Sequence, residues 1–249
     1  MKDLLTCVMD IGEQMLVCGA EVHRVEDSVQ RMCLSMGASR IDIFIITTSM
    51  VATLHTADGA TLTQTRRIKS TGTNIERLHL LNDLSRRICN EKPSVSEIRK
   101  EYRAIMESRS YPFWLECIAC AVITGAFTLF FGGGVIEAII STIIGALVKL
   151  LGFICSKAVT NRIFDRFICA FAACILAFFA LRLSLVGTAD KIIIGNIMTL
   201  IPGIGLTNAL RDLFTGDSIA GLLRSIEALL IALAIAAGYF LSTVLMGGI

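Results

Sequence analysis

Charge is spread unevenly along this chain, and the point at which it thins out limits what the second half can fold into. Of the 44 Asp, Glu, Lys and Arg residues, 29 stand in the first 110 positions and only 15 in the remaining 139. Beyond Tyr111, apolar runs approach the length of about 20 residues that an α-helix needs to cross roughly 30 Å of hydrocarbon. They fall at 113–131, 135–153, 167–186, 192–206 and 222–246, and the fourth is short. The pattern predicts an α-helical polytopic membrane domain over 111–249 with about five transmembrane helices. A small water-soluble domain over 1–110 precedes it. A hydrophobic fraction of 54% and a mean hydropathy of +0.71 agree, being high for a wholly soluble chain.

Several function classes drop out early. A net charge of +2, with Lys and Arg interleaved among Asp and Glu, gives no basic surface for nucleic acid. The first helical register (Leu4, Leu5, Val8, Ile11, Met15) is interrupted by Asp3, Asp10 and Glu13, so it reads as an amphipathic soluble helix and not as a secretory signal. The first 110 residues are therefore expected in the cytoplasm. Nine cysteines are scattered singly, except for Cys117 and Cys120 in an apolar run with no histidine beside them. Neither a metal nor a cofactor is expected. No phosphate-cradling glycine loop, HExxH or Ser-His-Asp spacing occurs.

Within the soluble half, Val22, Val25, Val29, Met32 and Cys33 recur at helical spacing. The β-branched runs IDIFIITT, MVATLHT and ATLTQTRRI follow, with the turn dipeptide Asp58-Gly59 between the second and third. Helical periodicity resumes at Asn74, and a last helix is expected behind Pro93, starting near Ser94 or Ser96. The order ααβββαα predicts a small α+β cytoplasmic domain. Its densest polar group is Glu21, His23, Arg24, Glu26 and Asp27, in which His23 and Arg24 can each reach Asp27 along one helix face. That group is either a hydrolytic or proton-relay site or a solvated face with local ion pairs. His55 and His79 stand alone and are expected to be structural.

In the second half, Lys157, Arg162 and Arg166 between the second and third runs satisfy the positive-inside rule with a cytoplasmic first domain and the C-terminus outside. The fourth run breaks at Pro202 and Gly203, where proline removes a backbone donor. Within lipid such a break survives only where protein or a wet cavity satisfies the freed groups, and transporters hold substrates at breaks of this kind. Asn196, Thr207, Asn208, Arg211 and Asp212 surround it. Arg211 is expected to pair with a substrate carboxylate while Thr207 and Asn208 supply neutral hydrogen bonds; the alternative is a kinked helix end with an ordinary Arg–Asp pair. Glu137 and Glu227 are candidates for proton coupling.

Three strings, DIGEQMLVCGAEVHRVEDSVQRMC, RRIKSTGTNIERLHLLNDLSR and IPGIGLTNALRDLFTGDSIAGLLRSIEALLIALAIAAG, resemble the threonine/serine exporter family in its amino-terminal-domain form. The resemblance implies export of threonine and serine or, as in the split members of the family, of a dicarboxylate such as succinate, across a bacterial plasma membrane. It further implies a small second membrane subunit as partner, and leaves open whether further copies assemble. The motif positions it carries over are Glu21, Arg24, Glu26 and Asp27, then Pro202, Gly203, Thr207, Asn208, Arg211 and Asp212. A membrane-anchored hydrolase and a non-conducting regulatory subunit are the competing expectations.

Overall fold

The computed structural model describes residues 1–108, 111–158 and 161–246. The elements are α1 (Lys2–Val17), α2 (Val22–Ser35), β1 (Arg40–Ile46), β2 (Ser49–His55), β3 (Thr61–Arg67), α3 (Ile75–Glu91), α4 (Val95–Glu107), α5 (Phe113–Phe130), α6 (Val135–Ala158), α7 (Arg162–Arg182), α8 (Asp190–Met198), α9 (Gly203–Thr215) and α10 (Ser218–Leu245). They fall into two compact units. One comprises Met1–Arg109 with Ile204–Ser225, the other Ser110–Gly203 with Ile226–Ile249.

The first unit is built around α1. Its apolar register buries Leu4, Leu5, Val8, Ile11, Met15 and Leu16 against α2 and an antiparallel sheet of order β1-β2-β3. Alternation in β2 puts Met50, Ala52 and Leu54 on the inner face, each fully buried. Gly12 lets α1 approach closely: a Cβ there would meet Met50 Cε and Val29 Cγ2, both at 2.8 Å. The turn at Asp58-Gly59 uses positive φ at Gly59. Cys33 is buried in this core, and desolvation pushes its thiol up to about 12, so it behaves as a small apolar side chain.

The N-terminal cap of α4 is Ser94 and not Ser96. Ser94 Oγ accepts from the Glu97 N–H at 3.4 Å while Glu97 Oε2 accepts from the Ser94 N–H at 2.8 Å, a reciprocal capping box. Ser94→Ala is expected to lower the unit's stability by about 1 kcal/mol, read as a small drop in its thermal midpoint; Ser96→Ala should leave the midpoint in place.

Among the described residues α5, α6, α7 and α10 are each long and apolar enough to cross a membrane, and a fifth span results if α8 and α9 count as one interrupted segment. Large apolar side chains such as Val122, Phe130, Ile139, Leu229 and Phe240 are exposed, as lipid-facing residues of a bundle should be. Several expected bounds shift, with α6 running on to Ala158 and α7 ending at Arg182. Asn161 caps the third span by accepting from Ile163 N at 2.9 Å, so α7 starts at Arg162 and takes Asp165 and Arg166 into the helix. Ser218 opens α10 four residues before the expected start. The run 192–206 is not one element, because α8 ends at Met198 and α9 begins at Gly203, past Pro202. Residues 204–225, expected with the membrane domain, instead cluster with the first unit. Ser110 at the expected boundary and the terminal Gly247, Gly248 and Ile249 lie outside the described residues.

Candidate functional site

The turn between α1 and α2 collects side chains from a segment nearly 200 positions later. Helix α1 ends in a Schellman motif: Ala20 N donates to Met15 O and Gly19 N to Leu16 O, both at 3.0 Å, with Gly19 at φ +96°. A Cβ at Gly19 would also lie 2.8 Å from the Gly72 carbonyl, so both the conformation and the space require glycine. Four successive carbonyls then emerge and each finds a donor. Val17 O accepts from Gly72 N (2.8 Å), Cys18 O from Asn74 N (3.0 Å), Gly19 O from Asn208 Nδ2 (3.0 Å) and Ala20 O from Arg224 Nη2 (2.9 Å). The last two donors come from α9 and α10.

The start of α2 is completed the same way. Glu21 occupies its N-cap position without capping by its own side chain. Asp212 substitutes from α9, its Oδ1 accepting from Val22 N at 3.3 Å. A carboxylate at a helix N-terminus also meets the positive end of the helix dipole. Asp212 is fully buried and its Oδ2 lies 3.0 Å from Arg224 Nη1, an ion pair whose arginine is itself only 13% exposed. One carboxylate thus caps α2 and holds Arg224, and Arg224 in turn caps the end of α1.

Glu21 itself stands between two guanidinium groups. Arg24 Nε is 3.2 Å from Glu21 Oε2, and Arg211 Nη1 bonds Glu21 Oε1. The carboxylate is only 12% exposed, whereas Arg211 is 49% and Arg24 70% exposed. The guanidinium of Arg211, expected to face a substrate carboxylate, is engaged by Glu21 of the first unit. The reason is register. On α9, Ala209 and Asp212 form the buried side, Arg211 flanks it, and Leu206, Leu210 and Phe214 form an exposed apolar stripe.

The rest of the expected cluster on α2 fans apart. Arg24 turns back to Glu21 and not to Asp27, which pairs with Arg31 at 2.8 Å. Glu26 Oε1 accepts from Ile45 N at 3.0 Å; burial pushes its carboxyl above the usual range, opposed by that bond. His23 is exposed. His55 lies 3.3 Å from Asp42 and His79 3.3 Å from Asp83.

A second polar assembly lies inside the second unit, where Thr124, Thr128, Ser141 and Asn196 are all buried. Thr128 Oγ1 bonds Ser141 Oγ at 2.7 Å, Thr124 Oγ1 donates to Ser141 O at 3.1 Å, and Asn196 Nδ2 donates to Ser141 Oγ at 2.9 Å and to Ile192 O at 3.0 Å. The carbonyl of Ile192 fixes which end of the Asn196 amide faces it. Glycines admit this seam: a Cβ on Gly195 would lie 2.2 Å from Thr128 Oγ1, and one on Gly145 2.2 Å from Thr124 Oγ1. Helices α5, α6 and α8 meet here through small residues and hydroxyls, the usual contact of helices in lipid. Sequence reading singled out Asn196 but not its partners. The signal was present as four-residue spacing: Thr124 and Thr128 on α5, Ser141 and Gly145 on α6.

The remaining candidates sit elsewhere. Pro202 and Gly203 form the break itself, with Gly203 N donating to Ile201 O at 2.9 Å, and Thr207 lies one turn into α9 on an exposed position. Glu227 is 3.5 Å from Arg162, and Glu137 is half-buried beside Gly134. The buried acid of the second unit, among the described residues, is one not singled out from sequence: Asp165, which accepts from the Cys169 thiol at 3.8 Å. Among the described residues no group of His, Cys, Asp and Glu is arranged to hold a metal ion.

Apolar helices of spanning length, with a hydroxyl seam within them and a small α+β unit, mark a multi-pass membrane protein. The family model described as "Putative threonine/serine exporter" matches residues 6–246, and the chain belongs to that exporter family. It is 23% identical over 245 residues to a "Probable threonine/serine exporter" of Mycobacterium tuberculosis, covering 97% of this chain but 46% of that protein. The chain thus spans less than half the length of that relative. It is 24% identical to each "Probable succinate transporter subunit YjjP" of Klebsiella aerogenes and Escherichia coli, covering 90% and 92% of their lengths. No solved structure matches the chain.

Proposed function

We propose that this chain is one subunit of a secondary exporter for small carboxylate-bearing metabolites, either threonine and serine or a dicarboxylate such as succinate, in a bacterial plasma membrane. The carrying observation is the convergence of the two most distinctive motifs on Arg211, a half-exposed guanidinium suited to a carboxylate and held at the α1–α2 turn by Asn208, Asp212 and Arg224. Near-complete coverage of relatives named as subunits supports a separate small membrane protein as partner. The first 110 residues are cytoplasmic and the C-terminus lies outside, a topology supported by Lys157 in the last turn of α6 and by Arg162 and Arg166 at the start of α7. Thr207 and Asn208 are the neutral hydrogen-bonding candidates beside Arg211, and Asn196 belongs to the path through the second unit. Glu137 and Glu227 are the proton-coupling candidates.

Intracellular threonine, serine and succinate measured in a strain lacking this chain and its partner test the reading. One class should accumulate and fall again when both are restored. Arg211→Ala should cut the restored export about tenfold or more, the weight of a charge-assisted bond. His23→Ala should leave export near wild type, since His23 is exposed and outside the network. Retention of all three metabolites at wild-type levels in the deletion strain would reject the exporter reading.

A further inference from the structure

We infer that Glu21 is an internal surrogate for the solute: it occupies a paired guanidinium site, formed by Arg24 and Arg211, that receives a carboxylate ligand when Glu21 leaves. The inference rests on the exporter reading and adds the element that gates the site.

Three observations carry it. Two arginines from distant parts of the chain, one on α2 and one on α9, address opposite oxygens of a single carboxylate. Cations converging on both oxygens are what a carboxylate receptor needs. The carboxylate is mostly shielded while both guanidinium groups remain open to water, so a solute reaches the cations from outside while Glu21 holds the inner position. Finally, the supports of the site do not depend on Glu21. Asn208, Asp212 and Arg224 fix α9 against the α1–α2 turn through backbone groups of Gly19, Ala20 and Val22. Glu21 can therefore rotate away while its two arginine partners keep their places.

A ligand that binds only the unlatched state loses affinity in proportion to how seldom that state occurs. If Glu21 is latched about nine-tenths of the time, removing its charge tightens binding about tenfold. Glu21 is thus a competitor held at very high local concentration, and displacement by substrate breaks a contact between α2 and α9.

The test is calorimetric titration of the purified full-length chain in detergent with succinate, with L-threonine and with the neutral diamide succinamide. Glu21→Gln should bind at least one of the two carboxylates about tenfold tighter than wild type, and the one that gains identifies the solute class; succinamide should gain nothing. Adding Arg24→Gln to Glu21→Gln should remove the gain. Equal or weaker carboxylate binding by a folded Glu21→Gln protein overturns the inference. Should that variant fail to fold, Arg24→Gln alone decides: this exposed residue is replaceable without loss of structure, and carboxylate affinity should fall several-fold, whereas unchanged affinity overturns the inference. If restored export is normal while Glu21→Gln gains no affinity, the surrogate role falls and the exporter reading stands. If the wild-type chain and its partner restore no export, the exporter reading falls whatever the titration shows.

Discussion

Asp212→Ala is expected to remove about 3–5 kcal/mol from the first unit, the usual cost of breaking a buried ion pair from one side. The substitution leaves Arg224, largely buried, with only the Ala20 carbonyl, and strips α2 of the acceptor at Val22 N. An unpaired buried charge and an uncapped helix start add in the same direction. Asp212→Asn separates them, because the amide oxygen can still accept from Val22 N while the charge is gone; it should fall between wild type and alanine. Pairing Asp212→Ala with Arg224→Ala should cost less than the two single changes summed, since each side of a broken pair carries its own penalty. Thermal unfolding in detergent can be followed by labelling of the buried thiols Cys7, Cys18 and Cys33 with a fluorogenic maleimide. A midpoint for Asp212→Ala equal to wild type would show that this residue does not hold the joint.

Gly195→Ala should be as damaging within the second unit, for a steric reason. A Cβ there would lie 2.2 Å from Thr128 Oγ1, 2.8 Å from the Thr124 carbonyl oxygen and 3.0 Å from Thr128 N. Two of these are backbone atoms of α5, which a rotamer change cannot move. Helix α8 must back away, separating Asn196 from Ser141 and opening a dry contact between helices. Overpacking of a tight core costs about 1–3 kcal/mol and sometimes more, and the stranded hydroxyl and amide groups add to it. The expected result is loss of export together with a lowered midpoint. Thr128→Ala in the same chain should recover little, because the backbone clash with Thr124 remains. Gly187→Ala is the matched control: nothing lies within 4 Å of a Cβ at that position, and its stability and export should match wild type. Wild-type behaviour of Gly195→Ala would mean that α5 and α8 do not pack closely.

Much of this was legible in the chain. The α+β order, the strand runs on either side of Asp58-Gly59 and the long apolar helices follow from local periodicity. Pro202 marked the break between α8 and α9 for the same reason, because a missing N–H is a local property. Relations between segments were not legible. His23, Arg24 and Asp27 share a helix face by spacing, yet Arg24 turns to Glu21 and Asp27 to Arg31, because a long side chain on a helix has neighbours in both directions. Arg211 beside a helix break in an apolar half invited a pocket in lipid. The carboxylate that engages it stands 190 positions away.

Residue order is enough for a chain of apolar spanning helices with a charged α+β domain in front, since both hydropathy and period are written residue by residue. That Gly19, Ala20 and Glu21 meet Asn208, Arg211, Asp212 and Arg224 emerges only in the folded chain. Backbone groups at the ends of α1 and α2 need partners that neither helix can supply, and nothing in the local pattern says which distant side chain will provide them.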